Sequence, residues 1–181
     1  MHPLHEYERP VGVYAFHTTQ QENVDSILKH GIKHTTDAGP DTSSIETALT
    51  KIGYDSPFPF DRTAVTYCGV DAEFSSEMLP SHSHSEFHSN KVAIVIEVEE
   101  ITSQMYLADM SLVSDLIDYL HGGVGIMLHA ETPEQAAERY RDSITTVETP
   151  DDIASRVGEF GHPELIVDGD ISPEAIVDTI K

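Results

Sequence analysis

One cysteine, no tryptophan and only ten basic side chains, five of them lysine, mark this 181-residue sequence. A lone Cys68 excludes an internal disulfide and a cysteine cage for zinc. So few Lys and Arg argue against a broad basic footprint of the kind that grips nucleic-acid phosphates, although adaptation to salt would weaken that exclusion. No apolar run approaches the roughly 18 residues of a membrane span, and the N-terminus lacks the charged-then-apolar pattern of a signal peptide. The simplest expectation is a soluble, cytoplasmic protein with no membrane partner.

What the sequence has in excess is acid. Its 32 Asp and Glu give a formal net charge of -22. Acid-rich composition with few aromatics is one signature of disorder, but regular apolar runs extend from Val11 to Ile180, so the chain reads as folded. An acidic, lysine-poor surface suits a halophilic protein in a salt-rich cytoplasm, where screening makes so much like charge tolerable. The other reading is a docking surface for a basic partner. No repeat, linker or boundary interrupts the chain. Residues 1–181 are therefore expected to form a single domain, with 1–10 a polar lead-in.

Apolar patterning predicts strands over 12–17, 64–68, 91–98 and 164–167. The run Lys91 to Val98 is nearly continuous and β-branched, so it should be central. Thr19-Gln20-Gln21-Glu22 reads as a capping box ahead of the stripe Val24, Ile27 and Leu28, with Gly31 as the stop. A weak helix is expected near 44–52, and Ser111 should cap a helix ended by Gly122 and Gly123. Thr132-Pro133 and Thr149-Pro150 mark two more helix starts, and Ser172-Pro173 should open a terminal helix carrying Ile176, Val177 and Ile180. Strands and helices do not alternate regularly, so the class is α+β.

Three residues on separate apolar runs stand out chemically. His17 is expected where a strand gives way to a helix, beside unpaired N–H groups that suit a ribose hydroxyl or phosphate. It reads equally as a partly buried histidine satisfied by backbone. Glu164, after Pro163, opens an apolar strand, where a carboxylate is costly unless paired or used; the alternative is a solvated edge residue. Tyr67 reads as a stacking platform or a core aromatic. Separately, His82, His84, Glu86 and His88 are spaced by two in a Ser-rich loop. If extended, they project from one side and could ligate zinc or nickel; otherwise they are a solvated lid.

In combination, His17, Tyr67 and Glu164 resemble the histidine-tyrosine-glutamate class of ADP-ribosyltransferases. The nearest likeness is to the DNA-modifying toxins and related prokaryotic proteins. The resemblance rests on His17-Thr18-Thr19 followed by Asn23-Val24-Asp25-Ser26-Ile27-Leu28-Lys29-His30-Gly31-Ile32. It rests equally on Pro163-Glu164-Leu165-Ile166-Val167-Asp168-Gly169-Asp170-Ile171-Ser172-Pro173-Glu174-Ala175-Ile176. It implies a split, mostly antiparallel sheet with flanking helices and NAD, as substrate, in the cleft between its halves. It further implies that His17, with Thr18 and Thr19, binds the nicotinamide ribose or the adjoining amide, that Tyr67 stacks on the nicotinamide ring, and that Arg62 serves the pyrophosphate. Glu164 would hold the ribose 2′-hydroxyl and stabilise the oxocarbenium-like transition state. The expected activity is mono-ADP-ribosyl transfer to a macromolecular acceptor, nucleic acid or protein, with nicotinamide released. The alternatives are an inactive nucleotide-binding module of the same fold, or a metal-binding protein using the His82–His88 loop.

Overall fold

Seven strands form: β1 (Tyr14–Gln20), β2 (Val65–Asp71), β3 (Lys91–Glu97), β4 (Met105–Asp109), β5 (Thr145–Val147), β6 (Pro163–Asp168) and β7 (Ile176–Ile180). A computed structural model describes residues 12–34, 49–71, 91–112 and 132–180. Its strands form one antiparallel sheet in the order β5-β4-β6-β2-β1-β3-β7. Helices α1 (Val24–His30), α2 (Pro133–Ser143) and α3 (Pro150–Arg156) accompany it. The class is α+β, as the element order predicts.

The pleat sends alternate residues to opposite faces. One face carries Ala15, Cys68, Val70, Val92, Ile94, Ile96, Met105, Leu107, Leu165 and Val167, which pack with Val24 of α1 and Ile153 of α3. The other carries Val65, Tyr106, Ala108 and Ile166, which pack with Leu49, Phe60 and the stripe Ala136, Ala137 and Tyr140 of α2. The first face is aliphatic. The second is rich in aromatics, and Glu164 lies on it.

Helix starts follow their caps where no strand competes. Thr132 and Thr149 each accept a hydrogen bond from an N–H three residues on, ahead of Pro133 and Pro150. At Thr19 the expectation fails. β1 pairs with β3 as far as Gln20 opposite Lys91, which holds Thr19 extended opposite Val92, and no side chain caps the succeeding turn. The ladder therefore takes the residues that the capping box was expected to use. The predicted terminal helix is likewise a short turn, Pro173–Ala175, followed by β7. The β-branched run Ile176, Val177, Thr179 and Ile180 covers the outer edge of β3 instead.

Gly31 does stop α1, with φ 77°. A side chain there would collide with the Ile171 carbonyl oxygen, because Ile32 and Ile171 exchange backbone hydrogen bonds across the next residue. Residues 44–48, 72–90 and 113–131 lie outside the described residues. They hold part of the weak helix, the whole histidine loop with His82, His84 and His88, and most of the helix expected from Ser111.

The two ladders of β1 differ in length. β1 and β3 are in register from Tyr14–Glu97 to Gln20–Lys91. β1 and β2 share only Tyr14–Asp71, Ala15–Val70 and Phe16–Gly69. Beyond Phe16, β1 stays with β3 while β2 continues alongside β6 down to Val65 opposite Asp168.

Candidate functional site

β1, β2 and β6 are neighbours in the sheet, so the fold brings the strands of His17, Tyr67 and Glu164 side by side. Glu164 pairs with Gly69 on one flank and Ala108 on the other. It is a central-strand residue, 8% exposed, and not a solvated edge. Tyr67 stands one row along on the same face, opposite Ile166, partly exposed.

His17 is placed differently from the expectation. It lies within β1, three residues before the strand ends, and not at a helix start. The pleat assigns it, opposite Ile94, to the face away from Glu164. Its ring nevertheless reaches the seam where β1 and β2 part: Nδ1 lies 3.3 Å from the Tyr67 carbonyl oxygen. A carbonyl only accepts, so Nδ1 carries the proton. In the neutral ring Nε2 is then an acceptor. Burial lowers the His17 pKa, partly opposed by that backbone bond, so neutrality is favoured. The backbone-satisfied reading is thus correct for Nδ1, while Nε2 makes no hydrogen bond among the described residues. Thr18 is exposed and Thr19 partly so, both in the β1–β3 ladder.

Glu164 has a single side-chain partner of note. The hydroxyl of Tyr140 on α2 donates to its Oε2 at 3.1 Å. Burial drives the Glu164 pKa upward and this bond pulls it back, leaving it at about 7. Tyr140 is itself pushed up, by burial first and then by the charge of Glu164 and by Tyr67. Two phenols and one carboxyl therefore share this part of the face. Cys68, on the far side of β2, is held protonated by burial and by Glu164.

The β2 residue beside the carboxylate is a glycine. Among the described residues, a side chain added at Gly69 would find only the Phe16 carbonyl oxygen within 4 Å, at 3.9 Å. Gly69 stands between Glu164 and Phe16, at the point where β1 and β2 begin to diverge.

Arg62 joins the same face through aromatic rings. Its guanidinium lies 4.8 Å from the Phe58 ring centroid, and Phe58 packs on Tyr140 with centroids 6.2 Å apart. The sequence places Arg62 near the cleft strand but does not reveal this chain of contacts. Tyr140, Phe58, Gly69 and Asp109 are absent from the sequence-predicted site. For Tyr140 a signal exists: it continues the apolar stripe of Ala136 and Ala137 at helical spacing, and a buried phenol needs a partner.

Asp109 ties down the residues that lead into β6. It stands opposite Pro163 at the end of β4. Its Oδ1 accepts the Ser111 N–H at 3.0 Å, the Ser111 hydroxyl at 2.6 Å and the His162 N–H at 3.1 Å, while Oδ2 accepts the Gly161 N–H at 3.0 Å. Burial pushes this carboxyl up, but those bonds outweigh it and hold it below the usual aspartate range.

Among the described residues no cluster of His, Cys, Asp and Glu fits a metal ion, and no helix is long and apolar enough to cross a membrane. No family model matches the chain, and no curated protein matches it.

Proposed function

We propose that the chain is an NAD-dependent mono-ADP-ribosyltransferase of the histidine-tyrosine-glutamate class, releasing nicotinamide as it transfers ADP-ribose to a macromolecular acceptor. One observation carries this reading: Tyr67 and the buried carboxyl of Glu164 share one face of adjoining strands, beside the seam into which His17 turns. In this reading the parting of β1 from β2 is the cleft of a split sheet, and the space over Gly69 admits the nicotinamide ribose.

The roles come from the chemistry of each group. Nε2 of neutral His17 accepts a hydrogen bond from a ribose hydroxyl or the carboxamide. Tyr67 stacks on the nicotinamide ring. As the glycosidic C–N bond breaks, its electron pair leaves with nicotinamide and positive charge grows on the sugar. The ionised Glu164 carboxylate, holding the 2′-hydroxyl in a site with little water, stabilises that charge most at the transition state. The acceptor nucleophile then bonds to the sugar carbon and gives up its proton. Arg62, whose guanidinium lies over Phe58 on this face, serves the pyrophosphate. With so acidic a chain, a nucleic-acid acceptor would be held by stacking and pocket shape more than by phosphate contacts.

Calorimetry with NAD and then with zinc, followed by an assay for released nicotinamide, tests the proposal. Turnover supports the transferase. Binding of NAD without turnover points to an inactive module, and zinc binding alone to a metalloprotein. Glu164→Gln should lower turnover at least about a hundredfold while NAD affinity stays within about tenfold, because the carboxylate acts chiefly at the transition state. Near-normal turnover in Glu164→Gln would remove the catalytic assignment.

A further inference from the structure

We infer that Tyr140 is a positioning residue for Glu164: from the buried face of α2 its hydroxyl holds one carboxylate oxygen and leaves the other to face the ribose. This rests on the transferase reading proposed for the site. The geometry is direct. Tyr140 is 2% exposed and Glu164 8% exposed, and they meet through a 3.1 Å hydrogen bond between residues 24 apart in sequence.

A phenol buried so deeply is costly unless its hydroxyl is satisfied. Phenylalanine would pack equally well against Phe58 and beside Ala136 and Ala137, so packing alone does not require the hydroxyl. That hydroxyl meets the one buried carboxylate among the described residues. Ala108 stands beside Glu164 on β4 and side-chain-free Gly69 beside it on β2, so with Oε2 taken by Tyr140 it is Oε1 that is left for the ribose in this reading.

The hydrogen bond also favours the ionised carboxylate against burial, and ionisation is the state the proposed chemistry needs. Among the described residues, the other titratable groups coupled to the pair are Tyr67 and Cys68 on β2, while Asp109 on β4 lies one position from Ala108 and on the opposite face. Asp109 is occupied by Ser111 and by the Gly161 and His162 N–H groups, and His17 meets β2 only through the Tyr67 carbonyl. Tyr140 is therefore the group that tunes Glu164.

The test is Tyr140→Phe, with a parallel protein carrying 3-fluorotyrosine at position 140, which keeps the shape and makes the hydroxyl a stronger donor. The Glu164 carboxyl is followed by carbon NMR, with Glu164→Gln assigning the signal. Its midpoint should rise by about one pH unit in Tyr140→Phe and fall with 3-fluorotyrosine. NAD turnover should fall about fivefold near pH 7 in Tyr140→Phe, with KM within about threefold, and recover by about pH 9 as Glu164 ionises. A midpoint that moves in neither protein overturns the inference, as does a loss of turnover that is uniform across pH. If Tyr140→Phe does not fold, the fluorinated protein alone decides. If the wild type does not consume NAD, the transferase reading fails, while the two titrations still report whether Tyr140 holds Glu164.

Discussion

Asp109 closes β4 opposite Pro163, and Glu164 stands one row further in, opposite Ala108. The two residues sit one position apart on adjoining strands, where the pleat sends them to opposite faces, and their surroundings push the two carboxyl groups in opposite directions. Asp109 accepts three backbone N–H groups and a hydroxyl, and is held ionised below the usual range. Glu164 is more deeply buried, has one phenol, and is raised to about 7. Saturation with donors makes a carboxylate a clamp. Burial with one donor leaves it poised between two protonation states near neutral pH, which is the usual condition of a group kept for chemistry.

Three measurements sharpen or break that contrast. The largest effect should come from the exposed carboxylates that form its background. Repulsion among the charges behind the net -22 acts at low salt and is nearly abolished in molar KCl, where the screening length is roughly 3 Å. Stability should rise by several kcal/mol, roughly 10 °C or more in Tm. A Tm that stays flat from dilute buffer to molar KCl would sink the halophilic reading and favour a docking surface for a basic partner.

Asp109→Ala comes next. It strands the N–H groups of Ser111, Gly161 and His162 and should cost about 2–3 kcal/mol, read from the urea midpoint at constant slope. Because the folded pKa of Asp109 is depressed, its contribution is present above the ordinary aspartate range and fades as pH falls through its folded pKa. The cost of Asp109→Ala should therefore shrink in acid. A cost that does not change with pH would mean that shape, and not charge, is what the site uses.

Glu164→Gln should have the smallest effect on stability, and the opposite sign. The folded pKa of Glu164 is raised, so its contribution is complete below about pH 4.5 and is lost as pH rises through about 7. Replacing a buried carboxylate that must ionise with an amide of the same shape should stabilise the fold by about 2 kcal/mol at pH 8 and by little at pH 5. Equal stability of wild type and Glu164→Gln at both pH values would show that Glu164 is solvated, and the contrast with Asp109 would disappear.

Much of the secondary structure is legible in local sequence. Val92, Ile94 and Ile96 alternate with residues of the opposite face, and Thr132-Pro133 and Thr149-Pro150 cap real helices. Gly31 stops α1 because its φ is positive. Illegible were the places where two elements compete for the same residues. Thr19 could cap a helix or continue β1, and pairing with β3 decides for the strand. Ile176–Ile180 could continue a helix or edge a sheet, and the open side of β3 decides for the sheet. β4 and β5 are short, and nothing in their local pattern separates them from loop.

The sequence by itself determined that the class is α+β and where several strands and capped helices lie. These come from periodicity, caps and side-chain type, which act over a few residues, whereas His17, Tyr67, Arg62 and Glu164 are picked out together by a family resemblance. Only the tertiary structure decided that Glu164 is buried, that Tyr140 holds it, that Asp109 anchors the loop before it, and that His17 turns toward the seam from the other face. Each of these depends on strand order and register, set by contacts between segments dozens of residues apart. A carboxylate's pKa depends on what surrounds it in space, and no local pattern encodes that.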